Sequence, residues 1–171
     1  MVNKDYGNTK NGGYKRLFAV VIIVVIISVI SVFLSHSVFP CVQIKGASLE
    51  PQWHSGDILL LLDKNEYQTG ELCSISVGNK ILIRRVIGHG GDRVVITSGG
   101  DIYLNGDLLD EPYLSEKHRG EKDLSFEVPQ GSVFVLNDNR GLGYDSTDPG
   151  IGYIDEDLIL GKVLFKVWPL V

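Results

Sequence analysis

The chain contains 171 residues, with 16 basic and 21 acidic side chains and a formal net charge of −5 at pH 7. That length accommodates one ordinary domain with an appendage and excludes a large multidomain assembly. Apolar residues make up 44% of the chain, and the mean hydropathy of +0.11 is high for a soluble protein. The excess of apolar residues lies near the amino terminus.

Residues 17–34 form an apolar segment with no charged side chain and only two serines. An α-helix of this length spans about 27 Å, close to the roughly 30 Å hydrocarbon core of a bilayer. The segment therefore predicts a transmembrane helix over residues 17–35, with the lipid bilayer as a partner. The alternative is a cleavable signal peptide with Ser35-His36-Ser37 as a weak cleavage site, although the apolar region of signal peptides is usually shorter.

The charges on either side of this segment predict its orientation. The first sixteen residues carry four basic side chains and one acidic one, whereas the rest of the chain has 12 basic and 20 acidic residues, a balance of −8. The positive-inside rule then places residues 1–16 in the cytoplasm as a basic tail and residues 36–171 outside as an extracytoplasmic domain. Residues 1–13 contain too few apolar side chains to fold alone and are predicted to be flexible. An acidic outer domain argues against nucleic acid as a partner.

The cysteines and histidines show no metal-binding pattern. Cys41 and Cys73 both fall in the outer domain, where an oxidising compartment would allow them to pair. The four histidines are scattered, and their spacing to cysteines and acidic residues is not that of a zinc or iron–sulfur site. The sequence predicts no metal and no cofactor.

From residue 41 onward, short apolar runs alternate with Gly, Pro, Asn and Asp, and helical periodicity is nearly absent. The predicted strands are 42–45, 57–62, 72–77, 80–87, 93–97, 102–104, 125–128, 132–136 and 162–167. This pattern predicts a mainly β fold, as a strongly bent sheet or an open barrel.

Two turns and one strand have distinctive compositions. Residues 98–101 and the pair Asn105-Gly106 predict hairpin turns, because both contain residues that tolerate a positive φ. Residues 57–62 are unusually apolar for a strand with one solvated face. They are predicted to be buried on both faces or to contact lipid.

A serine in the turn after the first strand is the first candidate for chemistry. Ser48 lies between the flexible Gly46 and the rigid Pro51. Taken alone this signal is weak, since a serine in such a turn usually bonds the local backbone. The other segments of the outer domain strengthen it.

Several short motifs follow one another in a recognisable order. They are Gly46-x-Ser48-x-x-Pro51, Gly56-Asp57, Arg84-Arg85-Val86-Ile87-Gly88-x-Gly90-Gly91-Asp92, Tyr103-x-Asn105-Gly106, Glu111-Pro112-Tyr113-Leu114, Asn137-Asp138-Asn139-Arg140 and Asp145-Ser146. Together they resemble the type I signal peptidase family in its Gram-positive form, over residues 42–168 and behind a single anchor.

The resemblance implies a membrane-anchored serine endopeptidase that removes signal peptides from exported preproteins at the outer face of the cytoplasmic membrane. The family uses a Ser–Lys dyad. Ser48 matches the nucleophile, and its backbone N–H matches a donor of the oxyanion hole. Gly46 matches the glycine found two positions earlier in many Gram-positive members.

The chain departs from the family pattern at the general base. Arg84 occupies the position of the catalytic lysine. A buried lysine can be neutral near pH 7, whereas arginine is not deprotonated in proteins. Arg84 is therefore not expected to accept the Ser48 proton, although it can donate hydrogen bonds or stabilise an oxyanion.

The last motif contains the second departure, because Gly143 replaces the serine that supports the catalytic lysine. Thr147 stands where the family has the last arginine of the motif. The resemblance implies that the retained residues brace the site rather than perform chemistry. The retained residues are Asp138, Asn139, Arg140, Asp145 and Ser146.

Four other side chains are candidates for the base. Lys80 lies on the same strand face as Arg84 but about 13 Å away, and Lys45 is predicted to point to the opposite face from Ser48. His89 is predicted to lie in a loop after the base strand and would have to reach back. His54 is predicted to be exposed.

Two functions of different class remain open on the sequence. The first is a signal peptidase, favoured by Ser48 and the otherwise intact motifs. The second is a catalytically impaired accessory or chaperone protein that binds exported partners such as pilin subunits during surface pilus assembly, favoured by Arg84 and Gly143.

Overall fold

The chain divides between residues 39 and 40 into a helical unit and a β unit. The computed structural model describes residues 10–38, 40–62 and 67–169. The signal peptidase resemblance predicted this order of one helix followed by a β domain.

The helical unit contains α1, Lys10–Val38. It includes a 20-residue apolar stretch, Gly13–Val32, with a mean hydropathy of 2.6 and no buried residue, so it is long and apolar enough to cross a membrane. The Ser28 hydroxyl donates to the Val24 carbonyl oxygen at 2.8 Å, which satisfies a polar group within the apolar stretch. The helix begins before residue 17, so the prediction of a flexible tail is wrong for residues 10–13. Residues 1–9 of that predicted tail lie outside the described residues.

The described part of the β unit contains eleven strands and one 3₁₀ helix, Glu156–Leu158. The strands are β1 (Cys41–Gln43), β2 (Ile58–Leu62), β3 (Leu72–Val77), β4 (Lys80–His89), β5 (Arg93–Ile96), β6 (Ile102–Leu104), β7 (Asp107–Leu108), β8 (Leu124–Glu127), β9 (Ser132–Leu136), β10 (Ile154–Asp155) and β11 (Ile159–Trp168). All nine predicted strands overlap an observed one. Strands β7 and β10 were missed because two residues are too few to show a period.

The strands form two antiparallel sheets. The larger has the order β1-β2-β11-β3-β4-β9-β10, and the smaller has the order β7-β6-β5-β8. The long strand β11 pairs with both β2 and β3 and shifts register along its length. At Gly161 of β11 a Cβ would collide with the carbonyl oxygen of Leu62 in β2, so the close approach of these two strands requires glycine. The mainly β, bent-sheet prediction is confirmed.

Both predicted hairpin turns are present. Strands β5 and β6 are joined across residues 98–101, where the Gly100 N–H donates to the Thr97 carbonyl oxygen at 2.9 Å. Strands β6 and β7 are joined by Asn105 and Gly106, whose φ values of 55° and 97° are those of a type I′ turn.

Strand β2 has one buried face. Leu59 and Leu61 are buried, whereas Ile58 and Leu60 are half-buried and Leu62 is exposed. The predicted burial on both faces is therefore wrong, because β2 packs on one side only. Contact with lipid stays a prediction.

The two cysteines lie too far apart to pair. Cys41 is in β1 and Cys73 in β3, and strands β2 and β11 lie between them in the sheet. Three inter-strand spacings amount to about 14 Å, beyond the span of a disulfide. Cys73 is buried, and this burial raises the pKa of its thiol to about 12.

One cluster of buried residues lies beneath the segments that carry the candidate site. It contains Ile44, Leu49, Leu59, Leu72 and Ile83. Leu49 follows Ser48 directly and Ile83 precedes Arg84 directly. The same apolar contacts therefore fix both backbone segments that hold the predicted site.

A second cluster joins the two sheets. Phe134 of β9 is fully buried and packs with Ile87 of β4, Val94 of β5 and Ile102 of β6. Strands β4 and β9 belong to the larger sheet, and β5 and β6 belong to the smaller one. The aromatic ring of Phe134 therefore holds the two sheets together.

Substitution Phe134→Ala is expected to destabilise the β unit by about 3–5 kcal/mol, since it removes a buried aromatic ring and leaves a cavity. Denaturant unfolding of the full-length protein in detergent micelles, followed by tryptophan fluorescence, measures the effect. Phe165→Ala is the matched control, because Phe165 is 55% exposed and its loss is expected to change little. Equal destabilisation by the two variants would contradict the assigned role of Phe134.

Candidate active site

Ser48 lies in the turn that follows β1. Gly46 has φ +85°, which an L side chain rarely adopts, and its N–H donates to the Ser55 hydroxyl oxygen at 3.2 Å. Leu49 is fully buried directly after the serine. The turn is thus held on both sides of a half-buried Ser48.

A second loop, residues 137–146, bonds to this turn. The Asn139 N–H donates to the Ser48 carbonyl oxygen at 3.0 Å. The Asn139 side-chain amide donates to the Ala47 carbonyl oxygen at 3.3 Å. Asn139 therefore fixes the backbone of Ser48, although it lies about ninety residues away in the chain.

Arg84 of β4 contacts Ser48 directly. Its Nη1 donates to the Ser48 Oγ at 3.2 Å and to the Ile83 carbonyl oxygen at 2.7 Å. Its Nε and Nη2 donate to the Tyr144 carbonyl oxygen at 3.2 and 2.9 Å. The guanidinium is thus fixed beside the hydroxyl, in the position where a base would stand.

The charge of Arg84 is partly desolvated. The residue is only 6% exposed, and burial lowers the pKa of its guanidinium, while the nearby Asp145 carboxylate and Tyr144 act in the opposite direction. Arginine nevertheless stays protonated at physiological pH. In this geometry Arg84 donates to Ser48 and accepts no proton from it.

Gly143 leaves space beside this contact. A Cβ built on Gly143 would meet nothing within 4 Å, so a serine side chain fits there. Gly143 and Arg84 line the same groove. The Gly143 carbonyl oxygen accepts from the Asn137 side-chain amide at 3.0 Å.

Asp145 and Ser146 hold the second loop against β9. The Asp145 carboxylate accepts from the Asn137 N–H at 3.2 Å and from the Thr147 N–H at 3.0 Å. The Ser146 hydroxyl oxygen accepts from the Val135 N–H at 2.9 Å. These bonds lie within the loop and its strand, so both residues shape the loop without reaching Ser48.

Arg85 and Asp138 form a buried, two-point ion pair. The Arg85 Nε lies 2.7 Å and its Nη2 lies 2.5 Å from the two Asp138 carboxylate oxygens. The Tyr113 ring covers the guanidinium at 3.7 Å. The pair ties β4 to the start of the second loop and thereby brings Arg84 and Asn139 to the same place.

A second ion pair supports the first. Arg140 pairs with the Glu111 carboxylate, which also accepts from the Tyr113 hydroxyl at 2.8 Å. Burial raises the pKa of Tyr113, and the Glu111 carboxylate raises it further. The hydroxyl therefore stays protonated and keeps donating to Glu111.

A groove of about 940 Å³ opens beside Ser48. It is lined by residues 41–48, 79–84 and 142–144. The lining includes Lys45, Lys80 and Arg84, and none of the lining residues is acidic. The Lys80 Nζ lies 5.3 Å from the centre of the Tyr144 ring.

The other candidate bases lie elsewhere or differ from prediction. His89 is not in a loop but ends β4, five residues or about 16 Å beyond Arg84 along the strand, where its ring stacks on Tyr67. His54 is exposed in the turn, as predicted. Lys45 is one of the residues that line the groove beside Ser48, and the direction of its side chain stays a prediction.

Tyr144 is the site residue that sequence reasoning missed. Its role depends on the carbonyl oxygen that fixes Arg84, and a backbone atom leaves no mark on residue type. Its φ of 77° is unusual for a bulky residue and sets the direction of that carbonyl. Among the residues described, no group of three or more His, Cys, Asp or Glu side chains is arranged to hold a metal ion.

Comparison with solved structures first defines the fold. The chain shares its fold with signal peptidase I from Enterococcus faecalis, with a TM-score of 0.50 and 24% sequence identity, over 59% of this chain and 98% of that one. Relatives with named activities then define the family. The chain is 29% identical to signal peptidase I of Bacillus licheniformis over 99% of this chain and 96% of that protein. It is 34% identical to signal peptidase IB of Staphylococcus aureus over 91% of each chain.

Residues 16–168 match the family described as signal peptidase, peptidase S26. The chain belongs to this family, as its motifs predicted, and signal peptide removal is the activity of the family. These comparisons give no support to the pilus-assembly alternative.

Substitution Asp138→Asn is expected to destabilise the protein by about 3–5 kcal/mol, because it leaves the buried Arg85 guanidinium without its carboxylate. Chemical denaturation of the full-length protein in micelles measures this change. Asp101→Asn is the matched control, since it breaks an exposed ion pair with Lys117 and is expected to have little effect. A mild effect of Asp138→Asn would show that the loop does not depend on the pair.

Proposed function

We propose that this chain is a membrane-anchored signal peptidase that binds the cleavage region of exported preproteins and presents Ser48 to the scissile bond, with a proton-transfer step that Arg84 slows severely. The observation that carries the proposal is the hydrogen bond from Arg84 Nη1 to Ser48 Oγ at 3.2 Å. Ser48, which matches the family's nucleophile, and Arg84, which matches the position of the family's base, are in contact within one groove.

The groove suits an extended peptide. Strand β4 pairs with β3 over residues 80–85, whereas its pairing with β9 begins only at Arg85. Among the described residues, no strand pairs with the other backbone edge of residues 80–84, and this part of β4 lines the groove. An extended preprotein segment can add to that edge through backbone hydrogen bonds.

Cleavage requires that the Ser48 Oγ attack the scissile carbonyl carbon and lose its proton. A general base in this role contributes about 10²–10⁴ in rate. The Arg84 guanidinium has no free electron pair for that proton, but its charge can stabilise the developing oxyanion. Binding and oxyanion stabilisation are thus retained, while proton transfer is slow.

The braces around Ser48 support the same assignment. Gly46 and Asn139 fix the serine backbone, and Asp138 and Arg140 hold the loop that carries Asn139. We assign these residues a positioning role. Asp145 and Ser146 do not contact Ser48, and we assign them the role of fixing the shape of this loop.

The double substitution Arg84→Lys with Gly143→Ser is expected to raise cleavage of a secretory preprotein at least about 100-fold over the parent, since it restores a titratable amine and a supporting hydroxyl. The assay uses full-length protein in detergent. Gly143→Ser alone is expected to give no gain, and adding Ser48→Ala to the double variant is expected to abolish the activity. No gain from the double variant would show that more than the base has been lost.

The pH profile of the double variant follows from the burial of this position. Desolvation that lowers the pKa of Arg84 would also lower that of a lysine placed there. The neutral amine is the active form, so cleavage rises with pH through this lowered pKa and then levels off. The parent shows no such rise, because Arg84 stays protonated. A parent profile with the same rise would indicate a different base.

The same contact favours a second candidate function, which is binding of exported preproteins without cleavage. Photocrosslinking of a preprotein to the groove, with no processed product, would support this function. Processing that Ser48→Ala abolishes would support the peptidase instead.

We further propose that residues 1–16 are cytoplasmic, that residues 17–35 span the membrane and that residues 36–171 lie outside. The basic amino terminus and the apolar helix support this orientation.

Protease added to intact spheroplasts is expected to degrade an epitope tag at the carboxyl terminus and to spare one at the amino terminus. Replacing the four basic residues of the first sixteen with glutamine is the matched control, and it is expected to weaken the asymmetry. Protection of the carboxyl-terminal tag until the membrane is permeabilised would contradict the orientation.

A further inference from the structure

Arg84 differs from the other two largely buried arginines of the site. Arg85 is paired with Asp138 and Arg140 with Glu111. Arg84 is equally buried, yet no carboxylate among the described residues lies within 4.0 Å of its nitrogens. Among the described residues, its hydrogen bonds go to two carbonyl oxygens and a hydroxyl, and the Asp145 carboxylate attracts its charge from beyond 4.0 Å.

A buried charge without a carboxylate in direct contact is costly, and an anion that reaches it recovers part of that cost. The guanidinium also retains a donor. Of its five N–H groups, one goes to Ile83, one to Ser48 and two to Tyr144. One Nη2 hydrogen is left without an acceptor among the described residues.

The groove around Arg84 is positively charged within an acidic domain. Residues 17–171 carry 12 basic and 20 acidic side chains. The groove lining nevertheless includes three cations, Lys45, Lys80 and Arg84, and no acidic residue. Such a lining attracts anions and disfavours cations.

Arg84 stands at one end of this groove. Strands β1 and β4 run in the same direction, because four successive antiparallel pairings separate them in the sheet. The lining residues run from Cys41 to Ser48 on one wall and from Asn79 to Arg84 on the other, so both walls end at the contact between Ser48 and Arg84. The β4 wall spans about 16 Å, enough for roughly five extended residues.

We infer that the groove end at Arg84 binds the carboxyl terminus of an extended peptide, with the α-carboxylate accepting from the Arg84 guanidinium. This inference rests on the proposed binding of extended peptides in the groove, and it adds the chemical class of the preferred ligand. A terminal carboxylate fits better than an acidic side chain, because both walls of the groove end at Ser48 and Arg84, where the last residue of an extended peptide would lie. The site therefore favours a product-like peptide over an uninterrupted one.

The test uses the full-length protein in detergent micelles and isothermal titration calorimetry. The probe is a six-residue peptide with an acetylated amino end and small apolar side chains, made once with a free carboxylate and once as the carboxyl-terminal amide. We expect the carboxylate form to bind roughly 10- to 100-fold more tightly, the range for a hydrogen bond to a charged group.

Two variants and one further peptide test whether Arg84 causes the preference for the carboxylate form. Arg84→Gln is expected to abolish the preference, so that the carboxylate and amide forms bind this variant with equal affinity. Arg93→Gln, a control that removes an exposed cation of the smaller sheet, is expected to keep the preference. An amide peptide with one internal aspartate is expected to bind no better than the amide without it.

Equal binding of the two forms, a preference that survives in Arg84→Gln, or tight binding of the aspartate peptide would each overturn the inference. Failure of both peptides to bind at millimolar concentration would overturn it as well. The proposed function is read separately, by preprotein cleavage in the double variant. A failure of carboxylate recognition is thus distinguishable from a failure of the peptidase assignment.

Discussion

The hydrogen bond between Arg84 and Ser48 is the constraint on which the chemistry of this protein depends. A serine becomes a nucleophile only when a neighbouring group accepts its proton, and a guanidinium is a permanent donor. In a Ser–Lys dyad this contact would activate Ser48. Here the Ser48 hydroxyl oxygen accepts a hydrogen bond from Arg84 instead. Because Arg84 is also buried, with no carboxylate of the described residues within 4.0 Å, we expect its charge to affect which ligands the groove binds as well as the reactivity of Ser48.

Contacts made by neighbouring residues keep the Arg84 and Ser48 side chains together. Apolar contacts beneath the turn fix Leu49 and Ile83, which flank Ser48 and Arg84 in the chain. The ion pair of Arg85 with Asp138 brings in the loop whose Asn139 bonds the Ser48 backbone. These braces use the neighbours of Arg84 and not Arg84 itself, so they hold the turn of Ser48 whichever side chain occupies position 84.

The strand pattern and the motifs were sufficient to predict the mainly β fold, the family and the residues that gather around Ser48. Predictions failed where the reason was not local. Helix α1 includes residues 10–16, whose composition alone does not favour a helix. His89 lies in β4 and not in a loop, because pairing with Val133 of β9 extends the strand. The carbonyl of Tyr144 could not be predicted, since its role is set by a backbone direction and not by a side chain.

The central claim is that Arg84 prevents rapid proton transfer from Ser48. The most direct test is the rate of preprotein cleavage by the full-length parent beside Ser48→Ala, measured in detergent from about pH 6 to pH 10. We expect slow processing by the parent, above the background of Ser48→Ala and without a rise across this pH range, with the preprotein still bound. Efficient processing by the parent that vanishes in Ser48→Ala would contradict it and would show that another group accepts the proton.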